Sequence, residues 1–192
     1  MQESLNIPWN RYALIADLAE RLDGVSPQLG KTALQKLIYL LQELFRIDCG
    51  YNFEFYSYGT FTSQLLQDLD LIENMGAVAI NPVASFPGGY EIKPGPGKET
   101  LKSKAAGFLD SRDVRSALEK LVNDFGKDCA KDLELSSTII FVDRDLKRQR
   151  GETKGDDLVL LVKELKPKFS EDEIEKDLRR LESKGYLELG RC

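Results

Sequence analysis

The sequence predicts an α+β protein that is mainly helical and has only a small amount of β structure. Two observations support this fold class. Apolar residues recur every three or four positions along most of the 192 residues, which is the spacing of amphipathic helices. Segments rich in strand-forming residues are few and short, as in residues 51–58 and 77–80. The order of the elements indicates a winged-helix-like N-terminal half and a helical C-terminal half that ends in a helix-turn-helix-like unit.

Two helices are predicted at the start of the chain. Leu14, Leu18 and Leu22 repeat every four residues and predict a helix over residues 9–22. A second helix is predicted from the segment Thr32–Gln35, which has the spacing of a capping box. Its apolar stripe, which we expect to face the core, comprises Leu34, Leu37, Ile38, Leu41, Leu44 and Phe45.

A strand and a third helix follow. Residues 51–58 alternate between two faces and predict a half-buried strand, after which Gly59 turns the chain and Thr60 caps the third helix. Gly76, just past this helix, is expected to adopt the left-handed conformation that ends many helices. The buried stripe of the helix comprises Leu65, Leu69 and Ile72.

A β-hairpin is predicted after the third helix. Residues 77–80 and Tyr90–Ile92 are its two strands, and Phe86–Gly89 supplies the turn between them. Two helices, a strand, a third helix and a hairpin is the element order of a winged helix, a fold often used to bind DNA.

The segment Pro94–Gly97 is the best candidate for a domain boundary. It predicts a winged-helix-like domain over residues 1–94 and a helical domain over residues 98–192, or else one compact unit. In the second half, apolar spacing predicts a helix over Ser111–Phe125. Residues 133–147 combine strand-forming residues with helical spacing, and we predict a helix there.

The last part of the chain has a helix-turn-helix outline. One helix is expected to end before Pro167, and Ser170 with Glu173 forms the capping box of the next. Gly185 is expected to end that helix, and Tyr186–Leu189 to leave it as a strand.

Residues 68–78 and 177–187 share the pattern D-L-x-x-[IL]-E-x-x-G-x-[VL]. Any amphipathic helix that passes through a glycine into a strand has a similar pattern. We therefore explain the shared pattern by these common requirements of amphipathic helices, in preference to a repeated winged-helix unit.

Composition excludes several classes of protein. The net charge of −5 argues against a surface that binds nucleic acid everywhere. The absence of histidine excludes Ser-His-Asp and Cys-His catalytic arrangements and His-ligated metal sites. Cys49, Cys129 and Cys192 are widely spaced and odd in number, which predicts neither a zinc site nor a disulfide framework. We therefore predict a non-enzymatic protein that needs no cofactor or metal.

The third helix is a poor candidate for DNA recognition. It has no Lys or Arg between residues 60 and 75, whereas phosphate contacts need basic side chains. It carries Asp68, Asp70 and Glu73, which would repel a phosphate backbone. Ser63, Gln64 and Gln67 could still donate hydrogen bonds near the N-terminus of the helix, but the acidic residues suit a protein-binding face better than a DNA-binding one.

The last helix carries more positive charge. Its acidic first turn and basic last turn are explained by the helix dipole alone, which favours a solvated helix over a DNA reader. A second basic cluster, at Arg144, Lys147, Arg148, Arg150 and Lys154, has no aromatic residues interleaved with it and indicates a solvated loop. The carboxylate pairs Asp143/Asp145 and Asp156/Asp157 form no recognisable catalytic constellation.

The segment Leu34–Leu40, the Tyr58-Gly59 turn and the helix from Leu65 to Gly76 resemble the Panacea domain of SocA-like antitoxins. That family tends to have an L-Q-K-L-[LI]-Y core helix and then a Y-G-P turn that opens the next helix. The chain is also similar to prokaryotic proteins related to YwgA. It departs from the pattern at Thr60, where the family usually has proline. The resemblance, over roughly residues 10–80, implies a mostly helical, non-enzymatic module that acts through protein contacts, for example by neutralising a toxin.

We therefore expect a cytoplasmic prokaryotic protein that binds a protein partner, either a toxin or a regulatory protein, and not a membrane. The candidate partner face comprises Gln64, Gln67, Asp68 and Asp70. The alternative is a DNA-binding winged-helix transcriptional regulator whose contacts are Lys166, Lys168, Lys176, Arg179, Arg180 and Lys184. The sequence leaves a dimer open as the oligomeric state.

Overall fold

A computed structural model of the protein describes residues 7–56, 59–84 and 88–189. Within these ranges the chain is mainly helical and has two small antiparallel sheets, which confirms the α+β class predicted from the sequence. The helices are α1 (Trp9–Leu22), α2 (Lys31–Phe45), α3 (Ser63–Asn74), α4 (Lys98–Lys104), α5 (Ala106–Leu109), α6 (Arg112–Phe125), α7 (Ala130–Arg150), α8 (Gly155–Leu165) and α9 (Glu171–Ser183). The strands are β1 (Glu54–Tyr56), β2 (Gly59–Phe61), β3 (Val78–Pro82) and β4 (Tyr90–Pro94).

The first two helices differ in how well their starts were predicted. Helix α1 has the bounds expected from its leucine repeat, and that repeat is buried. Helix α2 begins before Thr32, and its N-cap is Gly30, which has no side chain to accept a hydrogen bond. The predicted capping box is therefore wrong. There is no space for a side chain at this position, because a Cβ on Gly30 would lie 2.9 Å from the carbonyl oxygen of Tyr90.

The segment predicted as one strand followed by a helix cap forms a β-hairpin. Strands β1 and β2 pair antiparallel, with Phe55 opposite Thr60. Thr60 therefore lies inside β2 and does not cap α3, which begins at Ser63. Gly59 opens β2 with a φ of 84°, a conformation that glycine adopts without steric cost. The prediction of a single strand did not consider that two short neighbouring strands can form backbone hydrogen bonds with each other. Tyr58 of the predicted turn lies outside the described residues.

Helices α3 and α9 end in the same way. Gly76 and Gly185 follow them in the left-handed conformation, with φ of 69° and 75°, as predicted. In both places the amide of the next residue donates to the carbonyl five residues back at 2.9 Å. The segments that follow the two glycines differ. After Gly76, β3 pairs with β4, whereas after Gly185, residues 187–189 form no strand. The strand predicted at Tyr186–Leu189 is wrong, because neither sheet of the described residues supplies it with a neighbour.

The β3–β4 hairpin matches the one predicted after the third helix. Its register places Val78 opposite Pro94 and Pro82 opposite Tyr90. Phe86 and Pro87 of the predicted turn lie outside the described residues.

Helix α7 resolves the segment that had both strand and helix character. Its strand-forming hydroxyl residues are buried, and each one donates to a backbone carbonyl within the helix. Thr138 Oγ1 donates to the Glu134 carbonyl at 2.7 Å, and Ser136 Oγ donates to the Asp132 carbonyl at 3.1 Å. These bonds satisfy the hydroxyl groups within the helix, without a neighbouring strand. The helix predicted over residues 133–147 is confirmed.

The start of α9 follows the sequence prediction. Ser170 Oγ accepts a hydrogen bond from the Glu173 amide at 3.2 Å, and the Glu173 carboxylate accepts one from the Ser170 amide at 2.8 Å. The capping box is thus confirmed.

Helices from both halves of the chain share one hydrophobic core. Helix α1 packs against α3, α4 and α6, and α2 packs against α6 and α7. The buried residues of these helices and of α8 and α9 belong to one continuous cluster. This packing fixes α3 and α9 by their inner faces and leaves their outer faces at the surface.

Candidate protein-binding and nucleic-acid-binding surfaces

The outer face of α3 combines polar and apolar side chains. Its inner stripe, predicted from the sequence, is completely buried. Leu71 and Met75 lie on the outer side and remain 44% and 41% exposed. The sequence prediction missed these two, although their four-residue spacing outside the buried stripe was a signal that could have found them. We call this surface the α3 face; it comprises Gln64, Gln67, Asp70, Leu71 and Met75.

Asp68, which the sequence grouped with this surface, lies on the inner side of α3 and is only 3% exposed. Its carboxylate is 2.8 Å from Arg11 Nε and accepts a 2.8 Å hydrogen bond from the Tyr51 hydroxyl. These contacts join α3 to α1 and to the segment before β1. Burial, and then the charge of Asp68, raise the pKa of Tyr51, which keeps its hydroxyl protonated as a donor. Asp68 therefore positions α3 and is not available to a partner.

The remaining acids of α3 contact their neighbours only lightly. Asp70 is exposed, and the Lys31 ammonium lies 3.6 Å from its carboxylate. Glu73 accepts a hydrogen bond from the Ile80 amide at 3.0 Å, which ties the helix to β3. The α3 face consequently presents apolar and amide groups with a slight negative charge.

Two of the candidate nucleic-acid contacts on α9 are engaged within the protein. Arg180 is 2.8 Å from the Asp128 carboxylate and 2.7 Å from that of Asp177. Lys184 is 2.6 Å from Asp124. Burial raises the pKa of Asp128 and Asp177, and the Arg180 guanidinium opposes that rise. These cations neutralise neighbouring carboxylates and hold α9 against the segment before α7.

Two further candidates meet one buried carboxylate. Lys166 is only 3% exposed and lies 2.9 Å from Glu134, which is 4% exposed. Lys168 approaches the other oxygen of Glu134 at 2.8 Å from the surface. Lys36 of α2, 2% exposed, donates to the Thr60 carbonyl at 2.5 Å nearby. Burial lowers the pKa of Lys36 to about 8, and Glu134 opposes this shift. No pattern in the sequence indicates this buried cluster.

The last two candidates, Lys176 and Arg179, are exposed. Arg179 is 3.2 Å from Glu175, one turn earlier in the same helix. Lys176 lines a cavity together with several carboxylates, including Asp128 and Glu173. The six candidate contacts therefore do not form a continuous positive face, since acids interrupt it and Lys166 is buried.

The basic cluster predicted as a solvated loop lies mostly in a helix, because α7 continues to Arg150, so the predicted loop is wrong for all of its members except Lys154. The cluster also has aromatic neighbours, most of them contributed by other elements. Arg144, Lys147 and Arg148 line a cavity with a volume of about 780 Å³. Phe53 and Arg46 also line it, from segments that are far away in the sequence. This site forms only where α2, the residues before β1, α7 and the segment after α9 come together in the fold. No single stretch of the sequence contains it.

The chain matches no model of a known protein family, and no curated protein matches it. The resemblance to the Panacea domain and to YwgA-related proteins stays a prediction from the sequence.

The remaining chemistry-bearing residues are accounted for by local contacts. Asp143 is fully buried and forms ion pairs with Arg144 and with Lys147. Burial raises the pKa of the Cys49 thiol to about 12, which keeps it unreactive. Cys129 caps α7. Cys192 lies outside the described residues.

Among the described residues, no group of three His, Cys, Asp or Glu side chains is arranged to hold a metal ion. None of the described helices combines the length and the apolar character needed to cross a membrane.

Proposed function

We propose that the protein is a non-enzymatic protein-binding module of the antitoxin-like or regulatory kind, and that the α3 face contacts the partner. One observation carries this proposal: α3 exposes Leu71 and Met75 beside amide side chains, and residues 63–74 contain no Lys or Arg.

The physical argument rests on what each type of partner would require. A helix that reads DNA needs donors for base edges and cations for phosphates. The α3 face offers Gln64 and Gln67 as donors, but it surrounds them with Asp70 and two apolar side chains. Apolar side chains gain by leaving water in a protein interface, whereas a phosphate backbone gives them no such gain. The complementary partner has an apolar groove with a basic residue at its rim, opposite Asp70.

We also propose a winged-helix-like arrangement for residues 7–94, with α3 in the position of the recognition helix and β3–β4 as the wing. The order of α1, α2, α3 and the β3–β4 hairpin supports this proposal. The β1–β2 hairpin before α3 is an addition to that plan. In this arrangement a surface used for DNA in other proteins serves a protein partner here.

The proposal is tested by capture of the partner from a lysate of the host with the tagged full-length chain. The variant Leu71→Glu adds a charge to the α3 face without touching the core. Leu160→Glu makes the same change at a side chain on α8 that is 68% exposed, and it serves as the matched control. We expect wild type and L160E to recover one common protein that L71E loses. Equal recovery by all three chains would contradict the use of α3.

DNA binding is the second candidate, supported by the exposed basic residues Lys168, Lys176 and Arg179 of the C-terminal segment. It ranks lower because Arg180 and Lys184 are already paired with carboxylates. We keep a cytoplasmic location as part of the proposal, on the grounds of the sequence alone.

A further inference from the structure

The cavity beside α7 has the features of a small-molecule site. Its volume of about 780 Å³ falls within the range of several hundred to about 1,000 Å³ that is usual for ligand pockets. It lies where α2, the residues before β1, the C-terminal half of α7 and the residues after α9 meet. Because four separate segments line it, the cavity is a product of the tertiary fold and not of the conformation of one loop.

Four cationic side chains line this cavity: Arg46, Arg144, Lys147 and Arg148. Among the described residues, Arg46 has no ion-pair partner. Arg148 is 70% exposed, and its nearest carboxylate, Asp145, is at 3.9 Å. Both guanidinium groups thus retain donors for a ligand. The lining carboxylates, Glu43 and Glu188, are fewer than the cations.

The inner cations, Arg144 and Lys147, are both held by one acid behind the cavity wall. Asp143, fully buried, pairs with both Arg144 and Lys147, and Arg144 also donates to the Tyr186 carbonyl at 3.4 Å. The Arg144 side chain is still 19% exposed, so part of it remains accessible to a ligand at the cavity wall.

Arg46 has an unusual backbone. With a φ of 58°, it is the one residue other than glycine that has a left-handed conformation among those described. It ends α2 at a position where glycine is the usual choice, because a side chain there costs free energy. Such strain is typical of residues kept for a function, and the function that fits is to bring a guanidinium group to the cavity.

The cavity also has aromatic walls. Phe53 and Phe141 line it and are each half-buried, so part of each ring faces the open space. Phe141 is itself held by stacking on Phe55, with ring centroids 4.6 Å apart. Fixed rings beside arginine side chains suit a ligand that has both a planar ring and a negative charge.

We propose that this cavity binds a phosphorylated small molecule with a planar ring, of the nucleotide class. The arginines and Lys147 bind the phosphates, and Phe53 and Phe141 contact the ring. The carboxylate of Glu43 is placed to accept hydrogen bonds from the ring amino group or the sugar hydroxyls. The site is separate from the α3 face and does not depend on the proposed partner.

Isothermal titration calorimetry of the full-length chain tests this site. The probes are the four common ribonucleoside diphosphates, with adenosine as the ring-only probe, inorganic pyrophosphate as the anion-only probe and a short poly-Asp peptide as an acidic-protein probe. We expect at least one diphosphate to bind with a Kd below about 1 mM, and adenosine and pyrophosphate to bind at least about tenfold more weakly. Absence of binding by all four diphosphates overturns the proposal. Pyrophosphate or the peptide binding as tightly as the best diphosphate overturns it also.

Variants locate the binding. Arg148→Gln removes one cation of the cavity and is expected to weaken the best diphosphate about tenfold or more. Arg150→Gln makes the same change in the last turn of α7, at a side chain that pairs with Asp157 outside the cavity, and should leave the Kd unchanged. Arg46→Gly removes a cation and relieves the backbone, so it is expected to raise thermal stability while weakening binding. Equal Kd values for wild type, R148Q and R46G would show that the nucleotide binds elsewhere.

Discussion

The ammonium group of Lys166 lies 2.9 Å from the carboxylate of Glu134, and both side chains are almost completely buried. Helix α2 contributes a second buried ammonium, Lys36, whose charge Glu134 also stabilises. One carboxylate on α7 thus compensates two buried cations from different parts of the chain.

Replacement of Glu134 by Gln is expected to destabilise the fold by about 3–5 kcal/mol, because it leaves buried ammonium groups without their counter-charge. Urea denaturation at pH 7 measures the change. Glu152→Gln, at an exposed side chain just after α7, is the control and should alter the free energy of unfolding by less than about 0.5 kcal/mol. A loss in E134Q no larger than that of the control would mean that the lysines are not charged when buried.

Lys36 predicts an unusual dependence of stability on pH. Its pKa is about 8 in the folded chain and near 10.5 when exposed, so between these values the unfolded chain holds a proton that the folded chain has released. A rise in pH through this window therefore stabilises the fold. We expect the free energy of unfolding of wild type to gain about 2 kcal/mol between pH 7 and pH 10 relative to Lys36→Met, which cannot titrate there. Parallel pH profiles for the two proteins would contradict this.

Gly76→Ala and Gly185→Ala should have nearly equal effects, although they lie in opposite halves of the chain. Both glycines are left-handed, and a Cβ on either would meet no atom within 4 Å. Backbone strain is thus the only cost, and we expect about 1–2 kcal/mol in each variant by thermal denaturation. Gly107→Ala, inside α5 with open space and an ordinary φ, should instead be neutral or stabilising. Unequal losses at Gly76 and Gly185 would show that their surroundings differ in solution.

The charges on α9 predict weak contact with DNA. We expect no shift of a random-sequence duplex in a gel assay at about 50 mM salt, because acids of the same helix and its neighbours already neutralise Arg180 and Lys184. Binding that falls steeply with added salt and is lost in Lys176→Gln would favour the regulator instead. Lys98→Gln, at a lysine on α4 far along the chain, is the control for a general loss of charge.

Local patterns predicted the helices because helix formation depends mostly on neighbours three or four residues apart. The leucine repeat of α1, the glycines after α3 and α9 and the capping box at Ser170 are all of this kind. Two of the errors occurred where the deciding partner is a second strand. Thr60 pairs with another strand, and the residues after Gly185 have none to pair with.

The candidate surfaces also depend partly on local sequence and partly on tertiary packing. The lack of basic residues in α3 and the acidic start and basic end of α9 are properties of the sequence itself. The sequence prediction grouped Asp68 with Asp70, although Asp68 follows Leu65 by three residues and precedes Ile72 by four, which places it on the inner face of the helix. What the sequence could not provide is the pair of partners, Arg11 and Tyr51, that satisfies this carboxylate in the interior.

The sequence by itself determined the helical fold class, the ends of several helices and the lack of cationic side chains on α3, since these depend on spacing and on residue type. Only the tertiary structure decided that Lys36, Glu134 and Lys166 share one buried site, and that Arg46 and Phe53 meet the basic residues of α7 across a cavity. These residues are separated along the chain by many helical turns. Burial and proximity arise from the packing of α2, α7 and the ends of α8 and α9, and no local pattern encodes that packing.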